Sequence, residues 1–282
     1  MILVADSGST KTEWWWYNEN NELMKIITIG FNPYFIDSEG ISSVLKTTLQ
    51  PFINYQKIDK VFFYGSGCAS QSNATIVEIA CKQIFPNALK IEVYPDTLGC
   101  ARAVFGLKEG IAGIMGTGSN AVYYDSKTTV ECVPSLGYII ADEASGARFG
   151  TILIREYFKN EMPSDIKFEF EKKYNPKLEQ VLDAVYRQSH PNRFLASFCD
   201  FLSVHKNHPY IDNIIRCEIR AFLKFQVCKC EDYKEYTLGL VGSVAYYLES
   251  FLREEAASMG IKVGKILRSP IEGLIEFHQN YN

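Results

Sequence analysis

The stretch Asp6-Ser7-Gly8-Ser9-Thr10-Lys11-Thr12 lies between two strand-like runs, Ile2–Ala5 and Thr12–Tyr17. A tight turn of glycine and small hydroxyl residues lets backbone N–H groups point at a phosphate. Gly8 permits a positive φ and the close approach of a ligand. Asp6, at the end of the first strand, is placed to hold the water shell of a Mg²⁺ ion. An ordinary hairpin turn has the same composition, so this stretch alone leaves both interpretations open.

A second turn of the same kind occurs at Gly116-Thr117-Gly118-Ser119-Asn120, between the strand-like runs Ile111–Met115 and Ala121–Tyr124. Two such hairpins facing each other across a cleft would hold a polyphosphate from both sides. Neither turn is a Walker loop, because the chain contains no G-x-x-x-x-G-K-[ST]. Neither is a Rossmann fingerprint, because each turn leads into a strand rather than a helix. The pair therefore favours phosphate binding over ordinary turns.

An internal repeat accompanies the two turns. Leu3–Ser9 aligns with Gly113–Ser119 at an offset of 110, and Val61–Gly67 aligns with Leu238–Val244. The first pair has the pattern strand, polar turn, strand, and the second has the pattern strand, glycine-serine turn, helix. Two matches in the same order predict two lobes with related cores, divided near residue 108. Strand–helix alternation predicts a mixed sheet covered by helices.

Apolar periodicity and turn residues predict the individual elements. The predicted strands are Ile2–Ala5, Thr12–Tyr17, Leu23–Ile29, Val61–Tyr64, Ile91–Tyr94, Ile111–Met115, Ala121–Tyr124 and Thr237–Val241. The predicted helices are Ser38–Phe52, Asn73–Phe85, Asp96–Phe105, an interrupted stretch from Ala147 to about Lys229, Val244–Met259 and Ile271–Tyr281. The alternating tryptophans Trp14–Trp16 lie on a predicted strand, which favours core packing over stacking on a ligand.

Three further polar positions are candidates for chemistry. Asp96 follows a strand and opens a helix, where a carboxylate can take a proton from an alcohol during phosphoryl transfer, although its local sequence favours a plain helix cap. The pair Asp142-Glu143 offers two-oxygen acceptors for sugar hydroxyls, or acidic charge for a helix N-terminus. Gly242-Ser243 opens a helix after a strand, as a nucleotide wall or as tight packing alone.

The composition of the 282-residue chain is globular, and its formal net charge of −4 gives no basic surface for nucleic acid. Its 8 cysteines include no C-x-x-C pair, so we expect free thiols in a reducing compartment. Asp6 comes too early for the apolar region of a signal peptide, and the longest apolar runs are strand-sized. We therefore expect a cytoplasmic protein that binds neither membranes nor nucleic acid.

These residues together resemble the sugar kinase–Hsp70–actin superfamily. Within it, the chain is similar to the N-acetylglucosamine kinases of the BadF/BadG/BcrA/BcrD ATPase family. That family also holds the activator ATPases of benzoyl-CoA reductase and 2-hydroxyacyl-CoA dehydratase. The resemblance covers nearly the whole chain, through Asp6–Thr12, Val61–Gly67, Asp96, Gly116–Asn120, Gly137, Asp142-Glu143, Val241-Gly242-Ser243 and Pro270-Ile271-Glu272-Gly273.

The resemblance implies an α/β fold of two ribonuclease H-like (actin-like ATPase) lobes, each a mixed sheet flanked by helices, with the active site in the cleft between them. Residues 1–108 would form the N-terminal lobe, joined by a closing helix at 270–282. Residues 109–269 would form the C-terminal lobe. The implied reaction is ATP-dependent phosphorylation of an aminosugar, N-acetylglucosamine, to its 6-phosphate. ATP and Mg²⁺ would be required, and small kinases of this type are often homodimers.

The resemblance also implies a role for each matching residue. Asp96 would be the catalytic base acting on the sugar 6-hydroxyl, and Asp6 would order the Mg²⁺ water shell. The ATP-binding residues would be Ser9, Thr10, Lys11, Gly116, Thr117, Gly118, Gly242 and Ser243. The sugar-binding residues would be Asn32, Asp96, Ser119, Asn120, Gly137 and Asp142.

One departure from the family leaves the acceptor sugar open. Related kinases tend to carry an aromatic residue just before the glycine that Gly137 matches, and here that residue is Leu136. One alternative function is an ATPase that activates a reductase through a shared [4Fe–4S] cluster, but Ile111–Met115 contains no cysteine before the second turn. A non-enzymatic sugar sensor or a filament subunit is a further alternative, for which no residue pattern speaks.

Overall fold

The computed structural model describes residues 1–8 and 10–281. The chain divides into two compact units. Unit 1 consists of Met1–Lys108, Ser126–Thr129 and Ser269–Asn282, and unit 2 consists of Glu109–Asp125 and Val130–Arg268. Each unit contains its own sheet and its own hydrophobic core.

The strands are β1 (Ile2–Ser7), β2 (Lys11–Tyr17), β3 (Leu23–Ile29), β4 (Lys60–Gly65), β5 (Lys90–Pro95), β6 (Gly110–Met115), β7 (Ser119–Tyr124), β8 (Thr129–Glu131), β9 (Thr237–Val241) and β10 (Lys262–Leu267). The helices are α1 (Ser38–Thr48), α2 (Gln71–Ile84), α3 (Asp96–Phe105), α4 (Gly137–Ile140), α5 (Gly146–Phe158), α6 (Ser164–Lys173), α7 (Leu178–Tyr186), α8 (Pro191–Ala196), α9 (Asp200–His205), α10 (Pro209–Phe225), α11 (Ser243–Tyr247), α12 (Glu249–Ser258) and α13 (Ile271–Tyr281). Short 3₁₀ turns cover Gln50–Phe52, Tyr55–Lys57 and Val227–Lys229.

The two sheets have the same strand order. It is β3-β2-β1-β4-β5 in unit 1 and β8-β7-β6-β9-β10 in unit 2. β1 pairs antiparallel with β2 and parallel with β4, while β6 pairs antiparallel with β7 and parallel with β9. The first repeated pair of segments lies on β1 and β6, and the second lies on β4 and β9. The predicted repeat and the α/β fold class with two mixed sheets are therefore confirmed.

The core of unit 1 forms around one face of the β2 hairpin. Buried and partly exposed residues alternate along β2, as the two-residue period of a strand requires. Trp14 is fully buried, and its indole N–H donates to Thr28 Oγ1 at 3.1 Å. Its ring lies 6.3 Å from Phe31 and 5.8 Å from Phe63, measured between centroids. The prediction that these tryptophans pack in the core is confirmed, because Trp16 is buried as well.

Helix α13 is attached to unit 1 by a buried polar contact. The His278 ring stacks on Phe62 with centroids 3.6 Å apart, and His278 Nε2 lies 2.7 Å from the Tyr64 hydroxyl. Arg102 donates to the same hydroxyl at 2.7 Å. Burial, with Arg102 adding to it, lowers the pKa of His278 to about 3, so this imidazole is neutral at pH 7.

Unit 2 contains the interrupted helical stretch that the sequence predicts, now resolved into α5–α10. Helix α5 packs closely on α8, because a Cβ at Gly150 would lie 1.8 Å from the Leu195 carbonyl oxygen. Helix α10 is joined to α12 by ion pairs of Arg216 and Arg220 with the buried Glu255. No helix among the described residues is long and apolar enough to cross a membrane.

The structure adds elements that the sequence patterns do not reveal. β8 has three residues, and β10 mixes two lysines and a glycine with its apolar positions, so neither carries a clear strand signal. The predicted helix Val244–Met259 is two helices, α11 and α12, separated at Leu248.

The expectation that every cysteine is a free thiol is wrong. Cys132 and Cys230 form a disulfide in unit 2 with a sequence separation of 98. Cys132 directly follows β8, and Cys230 directly follows the 3₁₀ turn Val227–Lys229. Such a long-range pair cannot be deduced from spacing alone. The other cysteines form no disulfide: Cys68, Cys81, Cys100, Cys199, Cys217 and Cys228.

Thiol titration tests this disulfide. Protein purified without reductant and unfolded in guanidinium should yield six reactive thiols of the eight cysteines, and all eight only after reduction. Cys132→Ser is the matched control, because it should yield all of its remaining cysteines with or without reductant. Eight thiols from the unreduced wild type would contradict the disulfide.

Candidate functional site

In unit 1 the carboxyl ends of three parallel strands meet at one edge of the sheet. The register pairs Ser7 with Gly65 and Gly65 with Pro95, so β1, β4 and β5 end side by side. Asp6 lies one residue before the end of β1, and Asp96 directly follows β5 as the first residue of α3. The parallel pairing therefore brings the two predicted acids to the same edge of the sheet.

The Asp6 carboxyl lies in a strongly negative environment. Burial, followed by the charges of Asp96 and Glu13, raises the pKa of Asp6 to about 8, while Lys11 opposes the shift. Glu13 lies directly opposite Asp6 in the β1–β2 register and forms an ion pair with Lys11. Sequence reasoning missed Glu13, although the hairpin register implied by the first turn would have placed it there.

Asp96 lies at the start of α3, where its carboxylate binds a backbone N–H group. Its Oδ1 accepts the Thr97 N–H at 2.9 Å, so the carboxylate satisfies a donor of the first turn of α3, whose N-cap residue is Pro95. Burial raises the pKa of Asp96 to about 6, although hydrogen bonds from the backbone N–H groups of Thr97 and Asp96 itself lower it. The carboxylate is thus held in a fixed orientation and is mostly ionised at pH 7.

The first glycine turn is closed by backbone hydrogen bonds. The Gly8 N–H donates to the Lys11 carbonyl at 3.0 Å, and the Gly30 N–H donates to the Thr10 carbonyl at 3.1 Å. Gly8 does not use the left-handed φ that its residue type allows. The side chains of Thr10 and Lys11 are exposed, and Ser9 lies outside the described residues.

Asn32 packs against a glycine that follows β4. Its Oδ1 accepts the Tyr34 N–H at 3.0 Å, which fixes the side-chain amide. A Cβ at Gly67, whose φ is +81°, would lie 2.5 Å from that same Oδ1. Gly67 is therefore needed both for its left-handed backbone and for the space that Asn32 occupies.

In unit 2 the second glycine turn is held by the beginning of α5. The Gly116 N–H donates to the Gly118 carbonyl at 2.9 Å within the turn. The N–H groups of Gly146 and Ala147 donate to the carbonyls of Gly116 and Thr117 at 2.8 and 3.1 Å. The turn carbonyls are thus bound by helix N–H groups.

Gly242 lies against the same turn. Its φ is +130°, and a Cβ there would lie 2.1 Å from the Met115 carbonyl oxygen. Its N–H donates to the Leu267 carbonyl at 2.9 Å. No side chain fits at this position, so Gly242 allows β9 and α11 to pack directly on the β6–β7 turn.

A pocket in unit 2 opens beside the second glycine turn. It contains roughly 550 Å³ of space. Gly116, Thr117, Ser243, Val244 and Tyr247 line it, so Ser243 of the predicted nucleotide wall reaches the pocket and Gly242 does not line it. The pocket is also lined by Asp200, Cys199 and Ser203, which sequence reasoning missed because α9 carries no recognisable motif.

Asp142 lies in a tight loop beside the second turn. It is 8% exposed and has a left-handed φ of +59°. A Cβ at Gly118 would lie 2.7 Å from its Oδ2, so only glycine leaves room for the carboxylate. Burial raises the pKa of Asp142 to about 6, while a hydrogen bond from the Ser119 backbone lowers it.

The other predicted sugar-binding residues of unit 2, Ser119, Asn120 and Gly137, precede Asp142 in the sequence. Ser119 Oγ donates to the Glu143 carbonyl at 2.7 Å, and Asn120 Oδ1 accepts the Ala121 N–H at 2.8 Å. Gly137 begins α4 with a φ of +72°. Leu136, just before it, is 56% exposed and presents an apolar surface.

The predicted site residues thus divide between the two units. Asp6, Thr10, Lys11, Asn32 and Asp96 belong to unit 1, at or near the ends of its strands. The residues in unit 2 are Gly116, Thr117, Gly118, Ser119, Asn120, Gly137, Asp142, Gly242 and Ser243.

Two glycine substitutions test the packing of the second turn. Gly242→Ala should lower the free energy of unfolding by about 2 kcal/mol or more, because the new Cβ meets the Met115 carbonyl and φ is left-handed. Gly116→Ala is the matched control, because a Cβ there meets nothing within 4 Å. Denaturant unfolding measures both, and equal stability of Gly242→Ala and wild type would refute the packing argument.

Comparison with known proteins identifies the family. No family model and no curated protein sequence matches the chain. A solved structure described as "Putative N-acetylglucosamine Kinase" from Porphyromonas gingivalis matches with a TM-score of 0.94 and 36% identity, over 100% of this chain and 99% of that one. A second structure so described, from Chromobacterium violaceum, matches with a TM-score of 0.73 and 14% identity, over 98% of both chains.

A more distant match extends only to the fold. The ethanolamine utilization protein EutJ from Carboxydothermus hydrogenoformans matches with a TM-score of 0.53 and 14% identity, over 96% of this chain and 86% of that one. The full-length similarity at 36% identity is decisive, because it covers both sheets and all the helices between them. The chain belongs to the N-acetylglucosamine kinase-like family of the sugar kinase–Hsp70–actin superfamily.

Proposed function

We propose that this protein is a sugar kinase that transfers the γ-phosphate of ATP to an aminosugar. The acceptor is N-acetylglucosamine and the product is its 6-phosphate. The observation that carries the proposal is the Asp96 carboxylate, oriented by the Thr97 N–H and with a pKa raised to about 6. The full-length similarity to the Porphyromonas gingivalis protein, whose description names this activity, supports the choice of sugar.

The residues of unit 1 fit a hydrated Mg²⁺ ion. Among the described residues, no group of three or more His, Cys, Asp or Glu side chains could hold a metal ion by itself. Mg²⁺ in kinases usually keeps several waters and binds one or two carboxylates together with substrate phosphates. Burial, with the charges of Asp96 and Glu13 adding to it, raises the pKa of Asp6, and a bound cation would stabilise its ionised form. We therefore assign Asp6 to the water shell of Mg²⁺, which would neutralise charge on the phosphates.

The nucleotide is assigned to residues of both glycine turns and to the pocket of unit 2. Thr10 and Lys11, with the adjoining Ser9, are the proposed phosphate contacts of the first turn. The second turn contributes Gly116, Thr117 and Gly118. Gly242 and Ser243 are assigned to the adenosine, because Ser243 lines that pocket together with Gly116 and Thr117 of the second turn.

Asp96 would act as the general base. A base is most effective when its pKa lies near the working pH, because it is then ionised yet still accepts a proton readily. Burial has shifted the pKa of Asp96 in that direction. The proton of the sugar 6-hydroxyl would pass to the Asp96 carboxylate as the oxygen bonds to phosphorus, with positioning supplying most of the remaining rate.

The remaining sugar contacts are polar side chains suited to hydroxyl and acetamido groups. Asn32 in unit 1 and Asp142 in unit 2 are the main candidates, joined by Ser119, Asn120 and Gly137. A buried carboxylate accepts hydrogen bonds from two adjacent hydroxyls, which suits Asp142. Leu136 offers an apolar contact in place of an aromatic face, so selectivity among N-acyl sugars would depend on Asp142 more than on stacking.

A coupled ADP-release assay tests the proposed function. With ATP and Mg²⁺, N-acetylglucosamine should give a higher kcat/KM than glucose, glucosamine, N-acetylmannosamine or N-acetylmuramic acid. Omission of Mg²⁺ is the control and should abolish ADP release. ADP release that is equally fast without any sugar would contradict the proposal and favour an ATPase.

Removal of the base should slow the chemical step. Asp96→Asn should lower kcat by about 10²–10⁴-fold, because the amide cannot accept the hydroxyl proton, while ATP affinity changes little. Asp37→Asn is the matched control, since Asp37 only caps α1 and asparagine caps equally well. Near-normal turnover of a folded Asp96→Asn protein would refute the assignment.

The pH dependence follows from the raised pKa values. Saturating Mg²⁺ would keep Asp6 ionised, and Asp96 acts as a base only when ionised, so under that condition kcat/KM should fall as pH decreases through about 6. Asp142 titrates in the same range, so the fall should be steeper than one decade per pH unit once both are protonated. Kinetics between pH 5 and 8 measure this, and a flat profile down to pH 5 would contradict it.

A further inference from the structure

The loop that carries Asp142 has an unfavourable backbone conformation. Asp142 and Ala144 both have left-handed φ values, of +59° and +57°. Alanine is disfavoured there, because its Cβ crowds a backbone carbonyl oxygen. Such conformations persist only where the surroundings enforce them. Something outside the segment Asp142–Ser145 must therefore fix it.

Gln226 contacts this loop from the C-terminal end of α10. Its side chain is 5% exposed. Nε2 donates to Glu143 Oε2 at 2.8 Å and to Ser119 Oγ at 3.3 Å. Ser119 Oγ in turn donates to the Glu143 carbonyl at 2.7 Å. One buried amide thus fixes the Glu143 side chain directly and its backbone through Ser119.

Glu218 contacts the same loop from two turns earlier on α10. It is 9% exposed, and its Oε2 accepts the Ala144 N–H at 3.4 Å. Its two carboxylate oxygens also accept Arg148 Nε at 3.2 and 3.3 Å. Residues eight apart lie on one face of a helix, so Glu218 and Gln226 approach the loop from the same side of α10.

The Gln226 contact is not explained by stability alone. Its Oε1 is buried and has no hydrogen-bond partner among the residues that the structure describes. An unpaired buried acceptor destabilises the folded state, and an apolar side chain of the same size would avoid that cost. The hydrogen bonds that Nε2 donates to Glu143 and Ser119 explain why an amide is present at this position.

We propose that Gln226 and Glu218 are positioning residues, which hold the segment Asp142–Ser145 so that the Asp142 carboxylate is presented to the acceptor sugar. The inference rests on the proposed kinase function and deepens it. Asp142 is adjacent to Glu143, and the Ser145 N–H donates to the Asp142 carbonyl at 3.1 Å. The orientation of its carboxylate therefore depends on Glu143 and Ala144, the two residues that follow it and that α10 contacts.

Steady-state kinetics of two methionine variants test the functional part. Gln226→Met and Glu218→Met keep most of the buried volume but remove the hydrogen bonds to the loop. Each should raise the KM for the sugar about 10-fold, while the KM for ATP and kcat stay within about 2-fold. Glu218→Gln keeps an acceptor for the Ala144 N–H, so it should restore most of the affinity for sugar.

Arg220→Ala is the matched control on the same helix. Arg220 forms an ion pair with Glu255 on α12, and none of its hydrogen bonds among the described residues goes to the loop, so its loss perturbs α10 without releasing Asp142. Its KM for sugar should equal that of wild type. A rise in sugar KM that is equal in Arg220→Ala and Gln226→Met would show a general effect of α10 stability and overturn the proposal.

Hydrogen–deuterium exchange gives a readout that needs no sugar. In Gln226→Met and Glu218→Met, peptides covering residues 137–147 should exchange faster than in wild type, whereas in Arg220→Ala they should not. If wild type phosphorylates no sugar, the proposed function fails, yet exchange still decides whether α10 holds the loop. Unchanged exchange in both methionine variants, or unchanged sugar KM in an active enzyme, would overturn the inference.

Discussion

The parallel pairing of β1, β4 and β5 is the constraint on which the site in unit 1 depends. Parallel strands in register end at one edge of the sheet, so the polar residues that follow each strand are brought together. Asp6 and Asp96 come from distant parts of the chain, yet the charge of Asp96 helps to raise the pKa of Asp6 to about 8. A cation bound beside Asp6 would relieve this repulsion and lower the raised pKa, which is the electrostatic basis for assigning Mg²⁺ and phosphate to this edge.

Unit 2 repeats the strand order but uses it differently. Where unit 1 has two acids at the sheet edge, unit 2 has glycines that allow close approach, by the Met115 backbone at Gly242 and by the Asp142 carboxylate at Gly118. The N–H groups at the start of α5 bind the carbonyls of the second turn. The same strand order thus supports a pair of acids in unit 1. In unit 2 it supports a pocket and a strained acidic loop that contacts α10.

Much of this arrangement was predictable from sequence. Residue composition and flanking turns predict elements such as Leu23–Ile29 and Asp96–Phe105 with the bounds that the structure shows. The two repeated turns predict the two sheets of related strand order. Features that depend on long-range contacts were not predictable: the Cys132–Cys230 disulfide spans 98 residues, and Gln226 approaches Ser119 across 107. β10 was missed because its lysines and glycine obscure the strand period.

The central claim is that the γ-phosphate of ATP is transferred to a sugar hydroxyl. It is tested most directly by ³¹P and ¹³C NMR of a reaction that contains ATP, Mg²⁺ and N-acetylglucosamine labelled at carbon 6. The account predicts a new phosphomonoester coupled to carbon 6, formed in step with ADP. Inorganic phosphate formed in step with ADP, with the sugar unchanged, would contradict it.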